Sequence, residues 1–394
     1  MIFVLLSFLI TIFFPILSLI YNLFCFIFIK NYRKLFAILL SISISSIAYV
    51  WNPAENYDLY HWHLEMLKFS NNNFKYLIEI IKNNFEPLNY FLKYIFSKTG
   101  NFNLIQAFVS FFGYFEILWI IQDYSKKKNI SIFSVSLVTG FILSTIQFVN
   151  FISGLWFIFA IINFSTGIYL EYFCNNKKIA LIFIVITPLI HISTIYVILV
   201  YILAHIKSDK KIKSFLLVVL ICSMFVGNII VFIDKMINNN IVHYIRHLYD
   251  TYFLQGSQYD YLHSGKNFIF SMFRLVFVLL SVYIVEKKTN VKLNRKYLLI
   301  VSIFCVSTLV IIFSSKIYIR YAILVSIIGI PILLELFNKK ITKNLSLMIM
   351  FYIIILLYYI PIQYIGIKAA KIPEQVYSNI NKNIFSLENG GIHE

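Results

Sequence analysis

Apolar residues run through this chain in long blocks, and polar residues gather in the gaps between them. Such blocks lie at about 2–29, 35–51, 102–122, 130–149, 156–173, 179–206, 214–234, 267–285, 297–315, 321–337 and 345–364. A helix needs about 20 apolar residues to cross the hydrocarbon of a bilayer. The blocks far exceed the roughly ten-residue alternating strands of a membrane barrel, and Gly and Pro are sparse. The pattern therefore predicts an all-α polytopic membrane protein with about 11–12 transmembrane helices. No linker or internal repeat interrupts residues 1–394, which read as a single integral membrane domain. The first block lacks a basic n-region and a small-residue cleavage site, so it reads as a retained first span.

Basic residues punctuate the blocks in six clusters: Lys30/Arg33/Lys34, Lys126–Lys128, Lys177/Lys178, Lys207/Lys210/Lys211/Lys213, Lys287/Lys288/Lys292/Arg295/Lys296 and Lys339/Lys340/Lys343. Short cytoplasmic loops collect Lys and Arg, which places all six clusters inside. One conflict follows. The clusters at 177–178 and 207–213 flank a single block, and one crossing would separate them. That block contains Thr187-Pro188 and then His191, and proline breaks the helical ladder. The block is therefore expected to form a broken, re-entrant pair, about 179–187 and 192–206, with His191 near the outer turn. The outer side then receives a first extracytoplasmic loop with interfacial helices, 52–101, and a second, 235–266. The turns near 150–155 and 314–320 and the tail 365–394 join them.

Composition sharpens this reading. Charged residues make up 13% of the 394 positions and hydrophobic residues 60%, against roughly 25% charged in soluble domains. A water-soluble fold is excluded. The net charge of +17 is accounted for by topology, since the six inner clusters hold twenty of the 34 basic residues. No nucleic-acid partner is implied. The four cysteines show no paired spacing, so neither a disulfide frame nor a zinc site is expected. P-loop, GxGxxG, HExxH and GxSxG motifs are absent.

The residues able to do acid–base or phosphate chemistry collect on the predicted outer face. In the segment WNPAENYDLYHWHLEMLKFS, Asp58 and His61 share a helix face, and Tyr57, His61 and Glu65 form a second row. A carboxylate beside a histidine is a candidate general base; the same pattern also fits a solvated interfacial helix. His61 and His63 lie two apart, on different faces, and no third ligand is specified, so no metal is expected. Tyr57 and Tyr60 suit an interfacial aromatic belt. Glu86, in NFEPLNY, is a second candidate base, or a helix start with Pro87 in its first turn. His191 is an ionisable group in an apolar block, functional by default or a hydrogen-bonded histidine at a helix break. Only five arginines occur, and three of them, Arg246, Arg274 and Arg320, fall outside. Arginine holds phosphate oxygens in a fork, although each could simply snorkel to the interface. His243, His247 and His263 lie in the second outer loop.

The segments NYDLY, FEPLNYFLKYIF, QFVNFISGLWFIFAIINFSTGIYL, ITPLIHISTIY and KIYIRYAILVSI, in this order, resemble the EpsG-like branch of the O-antigen and capsule repeat-unit polymerases. The resemblance covers most of the chain and implies a GT-C-like helical fold in a bacterial inner membrane. It implies a polysaccharide polymerase with an outward-facing site that takes undecaprenyl diphosphate-linked oligosaccharides as donor and acceptor. No cofactor is implied; membrane lipids and a chain-length regulator are the other expected partners. On this reading Asp58, or else Glu86, deprotonates the acceptor, and His191 and His61 position the donor. Arg320, Arg246 and Arg274 bind the diphosphate, with His63, Tyr57, Tyr60 and His247 as further substrate contacts. Relatives often carry an arginine in the turn corresponding to NFISGLWF, where this chain has Trp156. A flippase or transporter of lipid-linked saccharide, or another integral membrane glycosyl- or acyltransferase, would share much of this pattern. A transporter should line a path across the whole bilayer, whereas these charges concentrate on one side.

Overall fold

The computed structural model describes residues 1–205 apart from 56 and 147, then 265–288, 293–311, 317–338, scattered positions between 346 and 368, and 370–388. All regular structure among the described residues is helical. Three helices there are long and apolar enough to cross a membrane: Lys30–Val50, Asn103–Lys128 and Trp156–Phe173. Shorter apolar helices accompany them, including Ile2–Phe13, Ser18–Phe28 and Ile132–Thr145. The chain divides into two compact units, Met1–Ile195 with Leu333–Glu394, and Tyr196–Ile332.

The first unit does not begin with the single span expected from its apolar block. The block at 2–29 is two helices, α1 (Ile2–Phe13) and α2 (Ser18–Phe28). Pro15 cannot continue a helix, and it pushes the residue before it out of helical geometry; Phe14 has φ −139° and ψ 62°. The two helices fold back on each other, because Ser7 donates to Asn22 Oδ1 while Asn22 donates to Thr11 Oγ1 at 2.9 Å. Asn22 also reaches Ser43 Oγ at 3.0 Å on α3 (Arg33–Val50). Buried side-chain hydrogen bonds of this kind join helices where lipid offers no hydrophobic drive. At about 1.5 Å per residue, α1 and α2 each extend less than about 20 Å, too short to cross alone.

After α3 come three short helices, α4 (Asp58–Asn71), α5 (Phe74–Lys82) and α6 (Pro87–Ser97). The expected interfacial segment is thus a cluster of helices. The long α7 (Asn103–Lys128) packs along α3 and α10 (Leu155–Phe173). Its end is marked by three lysines in the last turn and by Asn129 in the left-handed conformation (φ 49°), the usual dipole and stop signals. Thr166 on α10 donates to the buried Glu116 on α7 at 2.7 Å. Between them, α8 (Ile132–Thr145) and α9 (Phe148–Ser153) return the chain. Gly113 of α7 admits Phe151 of α9, since a Cβ there would meet its ring at 2.6 Å.

The expected break in the block 179–206 is present and lies at His191. Helix α11 (Lys177–Ile190) carries Pro188 inside its last turn and ends at His191, which is extended (φ −150°, ψ 119°). A 3₁₀ turn, Ile192–Thr194, follows, then α12 (Ile195–Ala204). The break falls three residues after the proline.

The segment from Leu333 onward returns to the first unit. Tyr124 donates to Glu335 at 2.8 Å, and Asn338 Oδ1 accepts from the Ser131 backbone at 2.8 Å. Trp51 donates to the Ala370 carbonyl at 3.1 Å, Asn52 and Gln375 exchange two hydrogen bonds, and Ile384 N–H bonds Ile12 at 2.9 Å. The tail therefore ties down the stretch leading into α4.

In the second unit, α13 (Gly265–Lys288), α14 (Arg295–Ile311) and α15 (Ile317–Ile328) pack on one another. The block 321–337 is interrupted at Gly329, before α16 (Ile330–Phe337). Tyr297 donates to the carbonyl of Ile328 beside that interruption.

Candidate functional site

Breaking a helix leaves backbone N–H groups without partners. The break at His191 does this, and the partner for Ile192 N–H is Glu86, whose Oε1 accepts it at 3.0 Å. Glu86 is itself the residue that starts α6, with Pro87 in the first turn. Its Oε2 accepts from Asn89 Nδ2 at 2.8 Å. One carboxylate thus ties the break at Ile192 to the start of α6, 106 positions away, close to the positive end of that helix. His191 lies beside it, Nδ1 to Oε1 3.6 Å, with the two side chains only 21% and 14% exposed. Ser193 donates its N–H to Nδ1 at 3.3 Å, and its hydroxyl is 2.9 Å away. That donor assigns the proton of the neutral ring to Nε2. Phe157 packs against the imidazole at 5.5 Å, near perpendicular.

One turn along α6 from Asn89 sits Lys93. Its side chain is 3% exposed, and its ammonium donates to Glu65 Oε2 at 2.6 Å. Three aromatic rings surround it: Trp62 at 5.3 Å, Tyr90 at 5.2 Å and Trp156 at 6.0 Å from ring centroid to Nζ. Trp62 and Trp156 also touch each other, with centroids 5.9 Å apart. Burial pushes the Lys93 pKa down, and the neighbouring carboxylates Glu65 and Glu86 work against that. A basic group therefore does reach the NFISGLWF turn at Trp156, brought there by α6.

The other expected residues are distributed differently. Asp58 and His61 are both exposed, at the start of α4. Tyr57 stacks edge-on against Trp51 at 5.3 Å, and Tyr60 against His61 at 5.8 Å. His63 turns the opposite way, as the two-residue offset requires, and is wholly buried near Phe102 of the α6–α7 turn. Burial pushes its pKa down to about 4, with Gln106 working weakly the other way. Among the described residues no three His, Cys, Asp or Glu side chains gather as a metal site would need.

Arg274 is 1% exposed inside the second unit. Arg320 lies on α15, with its side chain outside the described residues, as are Arg246, His247, His243 and His263. Lys93 and Trp156 went unpredicted as site residues. The signal for Lys93 was available: a lone charge in an apolar helix, four positions after Asn89.

Helix-breaking chemistry, an acidic cap and an aromatic-lined cation thus converge within one unit of an apolar helical protein. Across residues 34–379 the sequence matches one known family. The chain belongs to the EpsG family. The match covers nearly the whole chain, and it includes every element of this site. Membership in the EpsG family, with the apolar helices, makes this a membrane protein associated with polysaccharide biosynthesis. It suggests a polymerase-like glycosyltransferase role acting on lipid-linked saccharide. No match was found among curated proteins or among solved structures.

Proposed function

We propose that this EpsG-family protein is a polysaccharide polymerase of the outer face of the bacterial inner membrane, joining repeat units carried on undecaprenyl diphosphate. The observation that carries the reading is the Glu86–His191 cluster, a fixed carboxylate and an imidazole assembled from distant segments. Glu86 takes the role of base from Asp58, because its carboxylate is largely buried and both its oxygens are held, by Ile192 N–H and Asn89, whereas Asp58 is exposed. In the reaction Glu86 removes the proton of an acceptor hydroxyl. The acceptor oxygen then forms its bond to the anomeric carbon of the donor, and the bond from that carbon to the diphosphate breaks. The diphosphate leaves on its lipid, bearing the charge that most needs stabilising. His191, with its proton on Nε2, positions the donor. Arg320, Arg246 and Arg274 remain the proposed arginine contacts to the diphosphate, and the fold is proposed to be GT-C-like with an outward-facing site.

The test is a deletion strain analysed for lipid-linked saccharide. Loss of polymer with accumulation of single lipid-linked units on the outer face supports the reading. Accumulation of those units on the inner face would instead make the protein a flippase. Polymer of normal length in the deletion strain would remove it from the pathway altogether.

A further inference from the structure

A buried ammonium is costly unless fully paired, and Lys93 is only partly paired. Among the described residues its three N–H groups meet one protein acceptor, Glu65 Oε2. The two partners are unequally placed: Lys93 is 3% exposed, whereas Glu65 is 42% exposed. The carboxylate therefore approaches the ammonium from the solvent side. Two more buried polar atoms have no partner among the described residues, the donor Trp156 Nε1 and the acceptor Asn89 Oδ1, and only the first can serve an anion. Trp156 belongs to the aromatic wall around the ammonium, and Asn89 bonds Glu86 through its other atom. Spare N–H groups on Lys93 and Trp156, screened from water by aromatic rings and one turn from Glu86, form a site for an oxyanion.

We propose that Lys93 and the Trp156 indole bind a phosphate oxygen of the lipid diphosphate, and that Glu65 holds this place until the substrate displaces it. The exchange replaces one anion by another, so the buried ammonium is never left uncompensated. Glu65, half-exposed, swings into water at little cost. Trp62 and Tyr90, whose rings lie 5.3 and 5.2 Å from the ammonium, help to exclude water from the pair, which strengthens each charge-assisted hydrogen bond. The proposal rests on the polymerase reading for the identity of the anion, and it adds a binding site to the arginines already considered.

The test measures binding of geranylgeranyl diphosphate, and of geranylgeraniol as its uncharged control, to the full chain in nanodiscs. The wild type is expected to prefer the diphosphate. Lys93→Met, which fills the same aromatic cage without the charge, should weaken diphosphate binding by about tenfold or more and leave the alcohol unchanged. Glu65→Gln should tighten the diphosphate severalfold, because its competitor is gone. Glu65→Gln weakening it in parallel with Lys93→Met would make the pair a structural tie between α4 and α6 and overturn the proposal. Should Lys93→Met fail to fold, Glu65→Gln decides alone: tighter diphosphate binding supports the proposal, and unchanged or weaker binding overturns it. Phosphatidylglycerol competing as well as the prenyl diphosphate would also overturn it, by showing a general lipid-phosphate contact. A wild type that binds no diphosphate yet restores polymer to the deletion strain sinks this inference alone. A deletion strain with normal polymer sinks the polymerase reading.

Discussion

Two acidic–histidine pairs lie in the first unit, and they have opposite fates. Asp58 and His61 are three residues apart on α4, and both are exposed. Glu86 and His191 are over a hundred residues apart, yet they sit 3.6 Å from each other and are mostly buried. Local spacing put the first pair on one helix face and left both residues exposed. The second pair was brought together by a structural need, the unpaired N–H left where the α11–α12 helix breaks. That need fixes the Glu86 carboxylate with a hydrogen bond on each oxygen in a largely buried place, whereas Asp58 is exposed. Preorganised groups are worth most where water is excluded, so the comparison favours the distant pair as the reacting one.

The strongest way to break the comparison is to neutralise each carboxylate in turn. Glu86→Gln keeps an oxygen that can accept from Ile192 N–H, so the cap and the fold should survive. Polymer made by a complemented deletion strain should nonetheless fall by about a hundredfold or more, the usual worth of a general base. Asp58→Asn, in solvent, should leave output within about twofold of wild type. The reverse order would return the catalytic role to α4. A Glu86→Gln protein that no longer folds, judged by its elution and melting in detergent, would make the carboxylate a cap alone.

His191→Phe comes next in size. It retains a ring to face Phe157 but removes both nitrogens, and output should drop about tenfold or more. Asn89→Ala leaves the carboxylate bonded on one oxygen only. The loss of one hydrogen bond to a charged group predicts a reduction of up to about tenfold, with accumulated lipid-linked units as the readout. If either variant polymerises normally while Glu86→Gln does not, the carboxylate works without its neighbours.

Much of this architecture could be read from residue order, and the exceptions have physical causes. The break at His191 was legible because two lysine clusters flanked one apolar block and could not both be inside after a single crossing. The α1–α2 turn was missed because the block at 2–29 was judged by its length. Pro15 marks the turn, and Ser7, Thr11 and Asn22 mark the face where the two halves meet. Glu86 and His191 were each conspicuous alone, but no periodicity links positions so far apart. Lys93 was hidden because nothing in its own helix marks it as buried. Its burial depends on Trp62 and Trp156, which come from two other helices.

The smallest expected effect concerns the other side of α4, where His63 faces the protein while His61 faces water. His63 is fully buried with no well-formed hydrogen bond, and burial holds its pKa near 4, against about 6.5 in an unfolded chain. The folded state therefore keeps the ring neutral in a range where the unfolded chain takes up a proton. Its contribution to stability is fully present above about pH 6.5 and is lost as pH falls toward 4, by up to about 3 kcal/mol. Melting of the protein in detergent should accordingly shift downward across that window. His63→Leu should flatten the slope, and His61→Leu should not, because His61 is exposed in the folded chain. Equal slopes in the wild type and His63→Leu would mean that His63 gains its proton without unfolding, and that α4 separates its two histidines less completely than its packing implies.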